Sequence, residues 1–217
     1  MTKTGEAARP PMAVDPESLL ETFQLYRKPI TIAAVVLAAV VGGAFLWQAS
    51  TARKAAQAEK AFYDAVGLFG RGDPKAAAEL GKVAQRYDGT AGGTQAALLL
   101  AQTQFDEGKF DDGLKVLDGV SRPGVFASGV ESLKAAGYEG KEQYDKAAEH
   151  YLSAVANAAL SGEKEFLQGE AARALAAAGK KAEALKIWEE LAAKTDSPMS
   201  GEAKIRVGEL TAAPITK

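Results

Sequence analysis

The clearest hydrophobic feature of the chain is a long uncharged stretch near its start. No charged residue lies within residues 29–52, and residues 30–47 are apolar except for Thr31. At about 1.5 Å per residue in an α-helix, residues 30–47 span roughly 27 Å, which is close to the thickness of a bilayer's hydrocarbon core. The pattern therefore predicts a single transmembrane anchor over residues 29–52.

The residues beside this stretch are those found at membrane surfaces. Tyr26 and Trp47 bracket it, and a pair of basic residues lies outside each end. Lys and Arg are balanced across the span and select no orientation, but the short arm at residues 1–28 favours a cytosolic N-terminus with the larger domain outside. A cleaved signal peptide is an alternative because residues 49–52 resemble a cleavage site, although the apolar stretch begins late and is long for one.

The arm and the anchor carry smaller signals. Residues 1–14 lack a periodic apolar pattern and predict a disordered start, whereas Asp15 and Pro16 are typical of the beginning of a helix and predict a short amphipathic one. Within the anchor, small residues recur every fourth position, a pattern that packs membrane helices together but also arises by chance in alanine-rich chains. This stripe consists of Ala34, Ala38 and Gly42.

Beyond the anchor, one pattern of small and apolar positions recurs four times. A small residue is followed after seven positions by a turn, and after five more by a second small residue that opens another helix face. The runs are Ala65/Gly72/Ala77/Gly81/Ala84, Ala101/Gly108/Gly113/Leu117/Val120, Ala135/Glu142/Ala147/Tyr151/Ala154 and Ala172/Gly179/Ala184/Trp188/Leu191. The second small residues are 36, 34 and 37 positions apart. This spacing is typical of tetratricopeptide repeats, which are hairpins of two helices.

The spacing also predicts what each position does. Ala65, Ala101, Ala135 and Ala172 are expected where the two helices of a hairpin cross, because only a small side chain lets helix axes approach closely. The turn glycines can adopt the left-handed conformation that ends a helix. Glu142 breaks this rule, so we expect a reshaped third turn in which Gly140 takes that role. Gly81 replaces a bulky contact, so we expect the first hairpin to be the loosest.

These patterns predict an all-α fold, with the anchor followed by an α-solenoid of about four hairpins over residues 53–211. A short helix after residues 196–198 is expected to cap the array, and residues 212–217 to fray. We expect Ile205, Val207 and Leu210 to pack inward and Lys204, Arg206 and Glu209 to face solvent. A general alanine-rich helical bundle is the alternative fold.

This organisation resembles the bacterial YfgM-like family, ancillary subunits of the SecYEG translocon. The likeness rests on the order of arm, anchor and repeats, on residues 96–102 followed by Phe105, and on residues 169–171 leading through Gly179 to Trp188. The resemblance implies a single-pass protein of the bacterial inner membrane, with a cytoplasmic N-terminus and a periplasmic domain. It implies contact with the translocon, exported chains or periplasmic chaperones, and it offers no catalytic residues.

Composition and chemistry argue against several other functions. The chain is 47% hydrophobic with a formal charge of −2, and it has no basic cluster of the kind that binds nucleic acid. Cysteine is absent, which excludes disulfides and thiolate sites. The single histidine, His150, has Lys146 and Ala154 as its neighbours one turn away, so it has no metal-binding partner there. We expect no enzyme activity, no cofactor, no metal and no small-molecule substrate.

The remaining hypothesis is a surface that binds proteins. Repeat arrays of this kind use the concave face formed by the first helix of each hairpin, and exposed aromatics there suit extended or helical peptides. The residues expected to point to this face are Phe62, Val66, Phe69, Leu98, Gln102, Phe105, Phe166 and Arg173. Alternatively, about half of them fill contacts between repeats or with the helix near the anchor. The partner would then be held by the membrane stripe or by the convex second helices.

The function predicted from these features is a membrane-anchored protein-binding scaffold at the Sec translocon. Two alternatives stay open. One is an adaptor in envelope biogenesis, and the other is a regulatory subunit of a different membrane complex.

Overall fold

The computed structural model describes residues 16–212, which form helices joined by short connections. The helices are α1 (Pro16–Phe69), α2 (Ala76–Arg86), α3 (Ala91–Asp106), α4 (Phe110–Asp118), α5 (Ala127–Gly140), α6 (Tyr144–Asn157), α7 (Ser161–Ala177), α8 (Lys181–Ala192) and α9 (Ser200–Thr211), with a short 3₁₀ turn at Gly124–Phe126. This part of the chain contains no strand, which confirms the predicted all-α class. The predicted disordered start at residues 1–14 lies outside the described residues, as does nearly all of the predicted tail.

The chain divides into two compact units, Met1–Thr51 and Ala52–Lys217. Helix α1 is unbroken from Pro16 to Phe69, whereas the sequence predicted a short helix, an anchor and a repeat helix as separate elements. Residues 51–69 are rich in Ala, which favours helix, and contain no Pro, so they give no signal to stop after the apolar stretch. Within Thr31–Phe69, α1 is long and apolar enough to cross a membrane.

The second unit is an array of helical hairpins. The last part of α1 pairs with α2, and α3/α4, α5/α6 and α7/α8 follow as three further hairpins before α9. The four alanines predicted at the helix crossings, Ala65, Ala101, Ala135 and Ala172, are all fully buried. A side chain larger than a methyl group at any of these crossings would force the paired helices apart.

All four hairpin turns have the same shape. Gly72, Gly108, Glu142 and Gly179 each adopt a positive φ, and each donates its backbone N–H to the carbonyl three residues earlier. The next residue in every turn donates to the carbonyl five residues earlier, which satisfies the free carbonyls at the helix end. The expectation that Gly140 reshapes the third turn is wrong. Gly140 is the last residue of α5, and Glu142 itself adopts a φ of 58°.

The register predicted for the first hairpin is displaced by one residue. Ala77 is exposed, and the buried positions of α2 are Ala76, Leu80 and Val83. In the first hairpin the buried small residue, Ala76, lies four residues after Gly72, whereas in the later hairpins it lies five residues after the turn residue. Leu80 therefore occupies the position assigned to Gly81, and it packs with Ala65 and Leu100 in one core cluster.

Gly92 lies in the first turn of α3, where a Cβ would meet the backbone of Ala58 at 2.6 Å. The last helix differs in part from expectation. In α9, Ala203 is buried and Val207 packs on the same core, whereas Ile205 is 63% exposed. Ile205 is two positions from Ala203, about 200° around a helix, so it faces away from the array.

Candidate functional site

A groove runs across the first helices of three consecutive hairpins. Its walls come from α3, α5 and α7, with one ring from α6, and it encloses about 460 Å³. It is lined by Leu98, Gln102, Gly129, Ser132, Leu133, Ala136, Tyr151, Phe166 and Glu170. The floor is mainly apolar, and the polar groups are hydroxyl, amide and carboxylate side chains, a combination that suits a peptide segment.

Helical spacing positions the groove residues. Leu98 and Gln102 are one turn apart on α3, and Phe166 and Glu170 are one turn apart on α7, so each pair shares one face of its helix. The ring of Phe166 is 51% exposed although it is a large hydrophobic side chain. Three of the eight residues assigned to the concave face, Leu98, Gln102 and Phe166, therefore line this one groove.

Phe105 does not present its ring to the groove, contrary to expectation. It is 9% exposed, and its ring lies against two glycines on neighbouring helices. A Cβ at Gly113 of α4 would collide with this ring, and one at Gly137 of α5 would meet its Cζ at 2.5 Å. Phe105 therefore fills the space that Gly113 leaves within its own hairpin and that Gly137 leaves in the next hairpin.

The three predicted residues on α1 do not line the groove. Phe62 is half-buried and packs on the core cluster that contains Ala65. Val66 is half-buried, and Phe69 is 42% exposed at the end of the helix. These side chains leave some apolar surface on the first hairpin, apart from the walls of the groove.

Arg173 lies on α7 one turn beyond Glu170. It donates to Glu170, and its Nη2 donates to the Glu202 carboxylate of α9 at 2.6 and 2.7 Å. The hydrogen bonds to Glu202 raise the pKa of Arg173, and they lower the pKa of the Glu202 carboxyl. Because the guanidinium is engaged on two carboxylates, Arg173 joins the capping helix to the array. Its other contact is with the Trp188 ring, 5.8 Å from the ring centroid.

A second polar pair at the groove was not predicted from the sequence. Tyr151 lines the groove, and its hydroxyl donates to Glu139 Oε2 at 2.9 Å. Burial raises the pKa of the Glu139 carboxyl, and the nearby Glu170 charge adds to this effect. Burial also raises the pKa of Tyr151, so its hydroxyl keeps its proton and donates. The two residues are 12 apart on different helices, and only the fold brings them together.

The other polar features found in the described residues have structural roles. His150 Nδ1 lies 2.8 Å from Glu131 Oε2, and its ring stacks on Tyr138. Within residues 31–212, no three acidic or histidine side chains are grouped so as to hold a metal ion. A second cavity of about 290 Å³ lies between α2, α3 and α4, and none of the predicted site residues lines it.

The stripe assigned to membrane packing is exposed on α1. Ala34, Ala38 and Gly42 are solvent-accessible, and a Cβ at Gly42 would meet nothing within 4 Å in the described residues. That a membrane partner covers the stripe stays a prediction.

Comparison with known proteins agrees with this architecture. A solved structure of nearly identical TPR-like repeats from a kinesin light chain-like protein of Podosopora anserina matches with a TM-score of 0.56 and 18% identity, over 71% of this chain and 85% of that one. A point variant of the same protein matches with the same TM-score and 19% identity, over 71% of this chain and 84% of that one. At this identity the likeness concerns the fold alone. No curated protein matches the sequence. The model of the tetratricopeptide repeat-like domain matches residues 22–211, nearly the whole chain, and the protein belongs to that family.

Proposed function

We propose that this protein is a membrane-anchored scaffold whose groove between α3, α5 and α7 holds a segment of a partner protein. The observation that carries the proposal is the exposed ring of Phe166 beside Leu98 and Leu133 in an open, mainly apolar groove. An apolar aromatic ring on a concave surface has a lower free energy when a partner covers it than when water does. Tetratricopeptide-like arrays commonly act as protein-interaction scaffolds without catalysis, and we propose the same here.

The anchor is the second part of the proposal. Large apolar side chains along α1 are exposed all round the helix, and they would be costly in water but favourable in lipid. They are Ile32, Val35, Val36, Leu37, Val40, Val41, Phe45, Leu46 and Trp47. We assign residues 1–28 to a cytoplasmic arm, 29–52 to the membrane anchor, 53–211 to a periplasmic repeat domain and 212–217 to a tail. The membrane would then be a bacterial inner membrane crossed once.

The finer assignment is an ancillary role at the Sec translocon. Its support is the resemblance to the YfgM-like family in the order of arm, anchor and repeats. In that role the groove would meet exported chains or periplasmic chaperones as they come close to the membrane. An envelope-biogenesis adaptor, or a regulatory subunit of another membrane complex, is the alternative, since the same groove and anchor would serve either.

Site-specific photo-crosslinking in cells tests the proposal. A photoreactive residue at position 166 would lie in the groove, whereas the same residue at position 152 would replace another exposed apolar side chain, Leu152 of α6, outside the groove. We expect a protein crosslink from position 166 and none of that product from position 152. Translocon subunits, exported chains or chaperones in the product favour the Sec assignment, and envelope enzymes favour the alternative.

A third probe position separates groove from anchor. If position 38 in the membrane stripe gives the partner crosslink and position 166 gives none, the partner is held through the anchor and the proposed groove function fails.

A further inference from the structure

The groove changes chemically from one end to the other. On α3, Leu98 is followed one turn later by Gln102 and two turns later by Asp106, which accepts a hydrogen bond from Gln102 at 2.8 Å. On α7, Phe166 is followed one turn later by Glu170. Because each first helix opens a hairpin of the same shape, α3, α5 and α7 run in the same direction across the groove. Its apolar end therefore lies toward their N-termini and its acidic end toward their C-termini.

The α5 wall follows the same order. Leu133 and Ala136 line the groove, and Glu139 lies three residues beyond Ala136, one turn further along the helix. Glu139 is half-buried, and it forms no ion pair within the described residues. The one hydrogen-bond partner of its carboxylate there is the hydroxyl of Tyr151, a neutral group. No cation is hydrogen-bonded to this carboxylate, because the Arg173 guanidinium, whose charge lowers the pKa of Glu139, is bonded to Glu170 and Glu202 instead.

The cations near the acidic end are already engaged. Arg173 forms ion pairs with both Glu170 and Glu202, and Glu202 also accepts a hydrogen bond from Arg206 at 3.3 Å. Lys141, just after α5, pairs with Asp111 on α4. Glu170 and Glu202 therefore share the Arg173 guanidinium, Arg206 pairs with Glu202 and Glu209, and Glu139 has no ion-pair partner within the described residues. This end of the groove has more negative than positive charge.

The helix termini add to this negative potential. Neither α3 nor α5 has a basic residue in its last turn, although the carbonyl groups at a helix C-terminus favour positive charge there. Acidic residues occupy those turns instead, Asp106 in α3 and Glu139 in α5. The arrangement is unfavourable for the free protein, and a cation from outside would relieve it.

We propose that the groove selects partner segments in which an apolar side chain is accompanied by a nearby Lys or Arg. The apolar side chain would lie against Leu98, Leu133 and Phe166, and the cation would lie between Glu139 and Glu170. The inference rests on the apolar side chains at one end of the groove and on charge complementarity with the carboxylates at the other end. It rests on the proposed function, because it names the chemistry of the segment that the groove would hold.

Selection from a displayed library of random 12-residue peptides, with the full-length chain in lipid nanodiscs as bait, tests the proposal. Groove-dependent peptides are those retained by the wild-type chain and by Leu152→Ala but lost by Phe166→Ala. Both replaced side chains are exposed, so neither variant should unfold the protein. We expect the groove-dependent peptides to be enriched in an apolar residue with Lys or Arg nearby, and depleted of acidic residues.

A direct affinity measurement completes the test. Fluorescence anisotropy compares the selected consensus peptide, carrying Arg at its basic position, with a copy that carries the neutral isostere citrulline there. If the consensus has Lys at that position, Arg replaces it before the comparison. We expect about tenfold weaker binding of the citrulline peptide, equivalent to about 1.4 kcal/mol. This preference should disappear with Glu139→Gln combined with Glu170→Gln, and persist with Glu190→Gln on α8, an exposed position outside the groove.

The outcomes separate this inference from the function on which it rests. Groove-dependent peptides without basic enrichment, or equal binding of the Arg and citrulline peptides, would overturn the charge preference and leave the groove intact. A library that yields no groove-dependent peptide would overturn both.

Discussion

Glu142→Gly is expected to stabilise the protein, although it deletes a charged side chain. Glu142 adopts a φ of 58° in a turn where the other three hairpins have glycine with φ of 67°, 74° and 82°. A residue with a Cβ loses about 1–2 kcal/mol in the left-handed conformation. Glycine avoids this cost, but it raises the entropy of the unfolded chain by about 0.5–1 kcal/mol. The Glu142 side chain is exposed and forms no hydrogen bond or ion pair within the described residues, so its removal costs little.

The expected net gain is about 0.5–1 kcal/mol in the free energy of unfolding. Urea unfolding of the full-length chain in nanodiscs, followed by circular dichroism, measures it. Two control variants bracket the result. Gly179→Ala should lose about 1 kcal/mol because it places a Cβ in an equivalent left-handed turn. Glu149→Gly should lose about 1 kcal/mol because it places glycine inside α6. If Glu142→Gly destabilises the chain as much as Glu149→Gly does, the left-handed turn at Glu142 is refuted.

Three further predictions concern packing, titration and topology. Ala101→Leu should lower the free energy of unfolding by about 1–3 kcal/mol, because it overpacks a fully buried helix crossing. The exposed Lys115→Ala should change the free energy of unfolding by less than about 0.5 kcal/mol. Equal shifts in urea midpoint would contradict the hairpin register. The pKa of Glu139 is raised in the folded protein, so ionising this carboxyl destabilises the fold; this cost is absent at low pH and grows as pH rises through the folded pKa. Glu139→Gln should therefore be more stable than wild type at pH 7 but not below the unfolded pKa of Glu139. A difference in urea unfolding that does not change with pH would refute this. Protease added to spheroplasts should digest residues 53–217 and spare residues 1–28, and protection of the repeat domain would reverse the proposed orientation.

The hairpin architecture follows from local spacing, which explains how much of it could be predicted. A small residue at each crossing and a turn seven residues later are both needed within a single hairpin, so they leave a signal in the sequence. The turn at Glu142 shows the limit of that signal. Its hydrogen bonds match those of the glycine turns, and the fold holds a glutamate in a backbone conformation that its own preference disfavours. Likewise, the one-residue displacement that buries Leu80 depends on where α2 begins after Pro74.

The candidate site was harder to predict because helical spacing assigns a face but not what covers it. Phe105 and Phe166 have equivalent aromatic character, yet Phe105 is buried against Gly113 and Gly137 of other helices, and Phe166 has no such neighbour to enclose its ring. The pairing of Tyr151 with Glu139 depends on the packing of α6 against α5, which no local pattern encodes.

The central claim is that the groove, through Phe166, holds a partner protein. Its most direct test is quantitative co-purification of the full-length chain from mild detergent, with the amount of bound partner compared among wild type, Phe166→Ala and Leu152→Ala. A rigid aromatic anchor at an interface contributes about 1–3 kcal/mol, so Phe166→Ala should weaken capture roughly ten- to hundredfold while its melting stays that of wild type. Leu152→Ala should capture the partner normally. Undiminished capture by a correctly folded Phe166→Ala variant would contradict the account.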